Sequence, residues 1–200
     1  MALQYSVAVR DAQLDAVETA AGASAILKIR TGAPPATCAT ADSGTVLATF
    51  NLPADWMAAA ASGSKAKLGT WQDTGADASG TAGHFRLYDS AGTTCHAQGT
   101  AGRSVVLATN ALTAANGNVL NFASTTAVVV GMNVSGSGIP SGATVVAVTS
   151  TTVTLSMTST AGVASAAIIT FAYDLPLDNA IITVGQSVTI NTFTLNAANA

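Results

Sequence analysis

The stretch Gly131-Met-Asn-Val-Ser-Gly-Ser-Gly-Ile-Pro-Ser-Gly-Ala-Thr-Val-Val-Ala-Val148 decides the fold class of this chain. It places two short apolar segments, Met132–Val134 and Ala143–Val148, on either side of a turn rich in glycine. Glycine and proline interrupt strands and favour tight turns. Further short strands are predicted at 119–122, 153–157 and 167–171. Turns at intervals of about 8 to 12 residues predict a small all-β domain.

The quoted stretch lies inside a run of 70 residues, Ser104–Tyr173, that contains no Asp, Glu, Lys or Arg. Charged residues make up 8% of the chain, whereas globular proteins carry about 25%. The run is not a membrane span, because apolar segments such as Ala127–Val130 are far shorter than the roughly 20 residues that a transmembrane helix needs. It predicts a neutral β-module with hydroxyl-rich faces, which suits static packing against a partner.

The segments on either side of this run predict one helix followed by strands. Apolar residues at helical spacing predict a helix over 3–21, ended by Gly22. Strands are predicted at 25–30, 45–52, 65–72 and 103–107, and a terminal hairpin is predicted from 181–184 and 187–195. Residues 55–61 predict a short helical turn or a loop anchored by Trp56.

The clearest hairpin joins His84–Tyr88 to Thr93–Ala97 through the turn Asp89–Gly92. The alternation of side chains along a strand places Phe85 and Leu87 on one face. It places His84, Arg86 and Tyr88 together on the other face.

The expected fold is mainly β: a β-sandwich or jelly-roll-like core with an N-terminal helix, and a second small all-β domain. In the preferred organisation, residues 108–172 are inserted into a core domain formed by 1–107 and 173–200. The alternative is two sequential domains followed by a C-terminal strand pair.

Composition excludes several classes of function. The net charge is −3 and the sequence has no cluster of Lys and Arg, so we expect no nucleic-acid partner. Residues 1–5 lack the basic region of a signal peptide, which predicts synthesis in a cytoplasm, and no membrane partner is expected. The two cysteines, Cys38 and Cys95, are either free thiols or, in an oxidising environment, a disulfide.

We expect no enzyme activity, because the carboxylates lie in turn-like settings rather than in pairs placed for acid–base chemistry. These carboxylates are Asp42, Asp55, Asp73, Asp77 and Asp89. We interpret them as turn or cap hydrogen-bond acceptors.

Three further patterns resemble binding sites for a metal, a phosphate or a sugar. His84, Cys95 and His96 are too few and too divergent for a typical zinc site, because Cys95 and His96 point to opposite faces of a strand. Ser135–Gly138 lacks the lysine and the following helix of a phosphate loop and is interpreted as a tight turn. Trp56 and Trp71 are interpreted as core anchors, with a sugar-binding face as the alternative. No catalytic, cofactor or metal residue is predicted.

Motifs in the flanking segments resemble a family of small virion proteins of tailed bacteriophages. The motifs are Thr31-Gly-Ala-Pro-Pro-Ala-Thr-Cys38, Leu52-Pro-Ala-Asp-Trp-Met57, Gly83-His-Phe-Arg-Leu-Tyr88 with Thr94-Cys-His96, and Gly185-Gln-Ser-Val-Thr-Ile-Asn191. In the neutral run, Val130–Gly142 with Thr151–Ser156 resembles a β-module that recurs as an addition to phage structural proteins. The resemblance implies a virion protein that is made in the host bacterial cytoplasm, and it implies no catalytic residues.

Three roles follow as expectations. The first is a capsid decoration or cement protein that binds the major capsid protein or other virion proteins as a homo-oligomer, for example a trimer. The second is a ring component of the tail or of the head-to-tail connector. The third is a receptor-binding or glycan-binding adhesin module, which needs an exposed aromatic cleft.

Overall fold

The structure is a computed structural model that describes residues 4–197. The described residues contain one helix and sixteen strands, and the expected mainly-β class with an N-terminal helix is confirmed. The elements are α1 (Val7–Ala21), β1 (Ile26–Thr31), β2 (Val46–Asn51), β3 (Ser64–Ala66), β4 (Trp71–Asp73), β5 (Gly80–Tyr88), β6 (Cys95–Gly102), β7 (Val105–Ala108), β8 (Val119–Asn121), β9 (Asn133–Gly136), β10 (Val145–Val148), β11 (Thr152–Leu155), β12 (Ile168–Ala172), β13 (Leu175–Pro176), β14 (Ile181–Ile182), β15 (Val188–Ile190) and β16 (Thr194–Asn196).

The chain divides into two compact units. The first unit consists of Met1–Gly102 and Leu175–Ala200, and the second unit is Arg103–Asp174. The second unit therefore begins and ends at the two charged residues that flank the neutral run. The strand predicted at 103–107 was expected to belong to the core domain, but β7 pairs with β12 of the second unit.

The first unit contains a six-stranded sheet in the order β13-β6-β5-β1-β2, with β14 paired to β5. The pairing is antiparallel except between β13 and β6. Two short ribbons, β4 with β15 and β3 with β16, complete the unit. Residues from both ribbons join the core cluster that forms on one face of the sheet.

Apolar side chains at alternate positions build this core. Leu27 and Ile29 of β1 are fully buried, and Leu27 lies opposite Phe50 on one side and Leu87 on the other. Four aromatic side chains extend the core, with ring centroids 5.4 to 6.0 Å apart between neighbours: Trp56, Trp71, Phe193 and Phe85. Each such ring removes about 150 to 250 Å² of surface from water, so this group dominates the burial.

Helix α1 contacts the rest of the unit largely through charged side chains. Glu18 accepts the backbone N–H of Met57, Asp15 accepts that of Ala60, and Asp11 accepts that of Gly63. These acids lie on one helix face, because residues three and four apart are neighbours there.

The ammonium of Lys65 binds two of these acids, at 2.6 Å from Asp15 and 2.9 Å from Glu18, although its side chain is only 3% exposed. The predicted apolar stripe was partly wrong, since Leu14 and Ala21 are buried but Val7 is 48% exposed. Gly22 ends the helix as expected, and Leu3 lies outside the described residues.

Two strand predictions in the first unit were wrong. The strand predicted at 65–72 is broken into β3 and β4, with Gly69 at a φ of +69° between them. The predicted terminal hairpin does not form, because β14, β15 and β16 each pair with a different earlier strand. These partners lie far away in sequence, which local patterning does not reveal.

The second unit contains two three-stranded antiparallel sheets, β10-β11-β8 and β7-β12-β9. Inward-facing residues of both sheets form a single core cluster. At its centre Phe122 and Phe171 meet edge to face with centroids 5.6 Å apart. The short strands predicted within the neutral run are confirmed to within a few residues.

The core cluster of the first unit predicts that this unit folds without the second. The core cluster of the first unit, within the described residues, includes no side chain from 103–174, and Leu175 pairs directly with Ala101. We expect that replacing residues 103–174 by a short Gly–Ser linker leaves a β-rich protein with a cooperative thermal transition, measured by circular dichroism beside the full chain. Loss of the transition in the shortened chain would show that the units share one folding core.

Candidate functional site

The face of the main sheet opposite its apolar core carries buried charged and polar side chains. Arg30, His84 and Arg86 are 7%, 0% and 1% exposed. Arg30 lies opposite His84 in the sheet register, and Gln98 lies opposite Arg86. Burying a cation without partners costs several kcal/mol, so this face is the strongest candidate for a built site in the described chain.

A loop from Gly32 to Gly44, which we call the covering loop, lies over this face. Its ends are closed where Thr31 and Thr45 exchange two hydrogen bonds of 3.1 and 2.9 Å. Sheet side chains bind carbonyl oxygens along the whole loop. Nδ1 of His84 lies 2.9 Å from the carbonyl oxygen of Gly32, and Nε2 of Gln98 lies 2.5 Å from that of Pro35. Arg86 donates to the carbonyl oxygens of Cys38 and Thr40 at 2.6 and 3.0 Å. Arg30 donates to those of Ser43 and Gly44 at 3.3 and 3.2 Å.

One carboxylate of the covering loop balances the buried guanidinium groups. Asp42 pairs with Arg30, and its Oδ1 lies 2.7 Å from Nη1 of Arg86. The hydroxyl of Tyr88 donates to the same oxygen at 2.7 Å. Four side chains lie at the centre of this loop and sheet face, and we call them the Asp42 cluster: Arg30, Asp42, Arg86 and Tyr88. Charge-assisted hydrogen bonds of this kind are about twice as strong as neutral ones.

The Asp42 cluster fixes the ionisation of its members. Burial favours a raised pKa for Asp42, but the Tyr88 hydrogen bond and the charges of Arg30 and Arg86 outweigh it and lower that pKa. Burial and the bond to Asp42 raise the pKa of Tyr88 to about 12. The carboxylate is therefore ionised and the phenol is protonated at neutral pH.

His84 is kept neutral on the same face. Burial lowers its pKa, and the charges of Arg30 and Arg86 act in the same direction, while the bond to Gly32 opposes them. A carbonyl oxygen can only accept, so Nδ1 carries the proton in this bond. Nε2 has no protein partner among residues 4–197.

The side chains of this site act as a structural clamp, by which we mean that they hold the covering loop on the sheet. Burial and the neighbouring Cys95 thiol raise the pKa of Cys38, so its sulfur is a thiol at neutral pH. Thiol, phenol and neutral imidazole are unactivated forms, and both guanidinium groups are engaged by loop oxygens. In the described part of the chain, no group of three or more His, Cys, Asp or Glu residues could bind a metal ion.

Two glycines allow the covering loop to approach the sheet. The β1–β5 register shifts between Arg30 and Thr31, which leaves Gly83 as the extra residue of a bulge. A Cβ at Gly83 would lie 2.2 Å from the carbonyl oxygen of Gly32, and a Cβ at Gly44 would lie 2.1 Å from that of Thr31. Gly44 also has a φ of +69°, which other residues rarely adopt.

The predicted hairpin and the residues on each of its faces are confirmed, and one carboxylate was misinterpreted. Asp73 and Asp89 accept backbone N–H groups within their own turns, as expected. Asp42 was expected to serve a turn but instead neutralises two arginines. The alternation that puts His84, Arg86 and Tyr88 on one face was the available signal, because such a face needs a counter-charge.

Both tryptophans are core residues. Trp56 and Trp71 are fully buried, and their indole nitrogens donate at 3.0 Å to the carbonyls of Gly22 and Leu68. They cannot line an exposed sugar-binding face. The zinc candidates do not assemble either, because His84 binds Gly32 and the Cys95 sulfur accepts from Arg86. Ser135–Gly138 leads into a turn closed by Ile139 N–H on Gly136.

Comparison of the chain with protein-family models, with curated protein sequences and with solved structures gave no significant match. No helix within residues 4–197 is long and apolar enough to cross a membrane.

The first prediction of this site concerns Asp42. Asp42→Asn keeps the shape of the side chain but leaves two buried guanidinium groups without their counter-charge, so we expect a loss of about 2 kcal/mol in the free energy of unfolding. Urea unfolding measures it. Asp55→Asn, which changes an exposed carboxylate, should alter stability by less than about 0.5 kcal/mol. Equal effects of the two substitutions would contradict the clamp.

The second prediction concerns pH. The native state binds fewer protons than the unfolded state because the pKa of His84 is lowered on folding. The resulting stability is complete above the unfolded value of about 6.5 and falls as pH decreases below it. We expect the free energy of unfolding to fall between about pH 7.5 and pH 5, and His84→Gln to flatten this slope. A persistent slope in His84→Gln would exclude His84 as its source.

Proposed function

We propose that this protein is a structural component of a tailed-bacteriophage virion and that it acts as a capsid decoration or cement protein. Its partners are the major capsid protein or other virion proteins together with further copies of the same chain, for example in a trimer. It is made in the bacterial cytoplasm and resides in the particle.

The observation that carries the proposal is the neutral face, the outer side of the β7-β12-β9 sheet, formed by Val106, Ala108, Ser135, Ile168 and Thr170. Thr170 of the central strand lies between Val106 and Ser135, and Ile168 lies opposite Ala108. Val106 and Ile168 are each 60% exposed. An exposed β-surface that combines aliphatic groups with hydroxyls is typical of a contact surface.

Neutrality makes such a face suitable for packing against another protein. Charged groups that lose water at an interface cost several kcal/mol unless they are paired, whereas burying methyl groups is favourable and hydroxyl groups can exchange their hydrogen bonds with water for bonds across the interface. Each contact can be weak, because many copies on a symmetric shell act together. Exposed sheet edges also make a free monomer prone to association, which supports an oligomer.

The charged groups of the first unit support a structural role as well. Arg30 and Arg86 bind Asp42 of the covering loop, and Lys65 joins α1 to β3. A ring component of the tail or connector would use a neutral face equally well. It would differ from a decoration protein in its copy number, which would be small and fixed in each particle. The adhesin alternative loses the aromatic cleft on which it depended, since Trp56 and Trp71 are buried.

The test of this function uses particles produced with and without the protein. We expect the particles that lack it to assemble but to release DNA at a lower temperature, measured by the fluorescence of a DNA-binding dye during heating. Its copy number in complete particles should approach that of the shell protein. Equal heat resistance with and without the protein would reject the decoration role.

A matched pair of variants tests the neutral face itself. Ile168→Lys places a charge on the neutral face, and Ala91→Lys places the same charge in an exposed turn of the first unit. We expect particles with Ile168→Lys to resemble those without the protein, while Ala91→Lys protects like the wild type. Full protection by Ile168→Lys would show that the face is not the contact surface.

A further inference from the structure

We infer that Cys38 and Cys95 form a dithiol site that small disulfide reagents oxidise to a disulfide, which would join the covering loop covalently to the main sheet. Both cysteines are free in this structure. The inference does not require the proposed function.

The two thiols are brought together by elements that are remote in sequence. Cys38 lies on the covering loop and Cys95 is the first residue of β6, opposite Tyr88. Arg86 contacts both cysteines, since its Nε donates to Cys95 Sγ at 3.2 Å and its Nη2 donates to the carbonyl of Cys38 at 2.6 Å. The neighbouring Cys95 thiol helps to raise the pKa of Cys38, as expected for two thiols that lie close together.

The site is open to a reagent from solvent. Cys38 and Cys95 are each partly exposed, and together with Thr40 and Thr93 they line one surface cleft. A disulfide reagent can therefore reach both sulfurs, and because burial raises the pKa of Cys38, we expect the exchange to be slow at neutral pH and faster as the pH rises. The cleft is also where the covering loop meets the β5–β6 hairpin.

The oxidation balances with oxidised glutathione as the electron acceptor. One protein thiolate attacks the glutathione disulfide, forms a mixed disulfide and releases one glutathione thiol. The second protein thiolate then attacks the mixed disulfide at the protein sulfur and releases the second glutathione thiol. The protein loses two electrons and two protons, and both are recovered in the two molecules of reduced glutathione.

The new bond would restrain the unfolded chain more than the folded one. It would link residues that are distant in sequence but already adjacent in the native state, which is the arrangement that gains most from a cross-link. On the proposed function, the reduced form is the one made in the cytoplasm, and the linked form would arise after release from the cell.

The test is equilibration of the folded, full-length protein with oxidised glutathione, followed by acid quenching and mass spectrometry. We expect a monomer that has lost two hydrogen atoms and both reactive thiols, with a Tm about 10 °C above that of the reduced protein. Reduction should restore the original mass and Tm.

Single cysteine variants test whether both thiols are needed for the rise in Tm. Cys38→Ser and Cys95→Ser each retain one thiol and should show no rise in Tm in oxidised glutathione. The inference is overturned if the wild-type protein keeps both thiols, if it carries one glutathione on each cysteine, or if its only product is a disulfide-linked dimer. Formation of the bond only after urea unfolding would overturn it too.

Discussion

The cost of burying charge is the constraint on which this structure depends. The first unit buries Arg30 and Arg86 on one face of its sheet and Lys65 beneath its helix. Each of these cations has carboxylate partners, because an unpaired buried charge would cost several kcal/mol. The carbonyls of the covering loop and Asp42 supply the hydrogen-bond acceptors for the Nη groups of Arg30 and Arg86, which holds the loop in its observed path.

The second unit avoids the cost of burying charge because it contains almost no charged residues. Its charged residues are confined to its first and last positions, Arg103 and Asp174, and its sheets pack through Val, Ile, Leu and two phenylalanines. The outward faces are left with threonine, serine, alanine and aliphatic side chains. One unit therefore uses charge to organise its own loops, and the other has outer faces without charged side chains.

Local patterns predicted the local features. The helix end at Gly22, the β5–β6 hairpin and the short strands of the neutral run follow from turn residues and alternation. Long-range pairing was not predictable in this way, because the residues of β14, β15 and β16 pair with residues 100 or more positions earlier. Asp42 was misread for a related reason: its partners lie on strands on either side of it in sequence, and only the folded sheet brings Arg30 and Arg86 to it.

The central claim is that the neutral face lies against another protein of a virus particle. A cryo-electron microscopy map of purified particles, with this chain traced in it, tests that claim most directly. The account predicts that Val106 and Ile168 contact a neighbouring protein chain. A map in which the neutral face borders solvent in every copy, or particles that do not contain the chain at all, would contradict it.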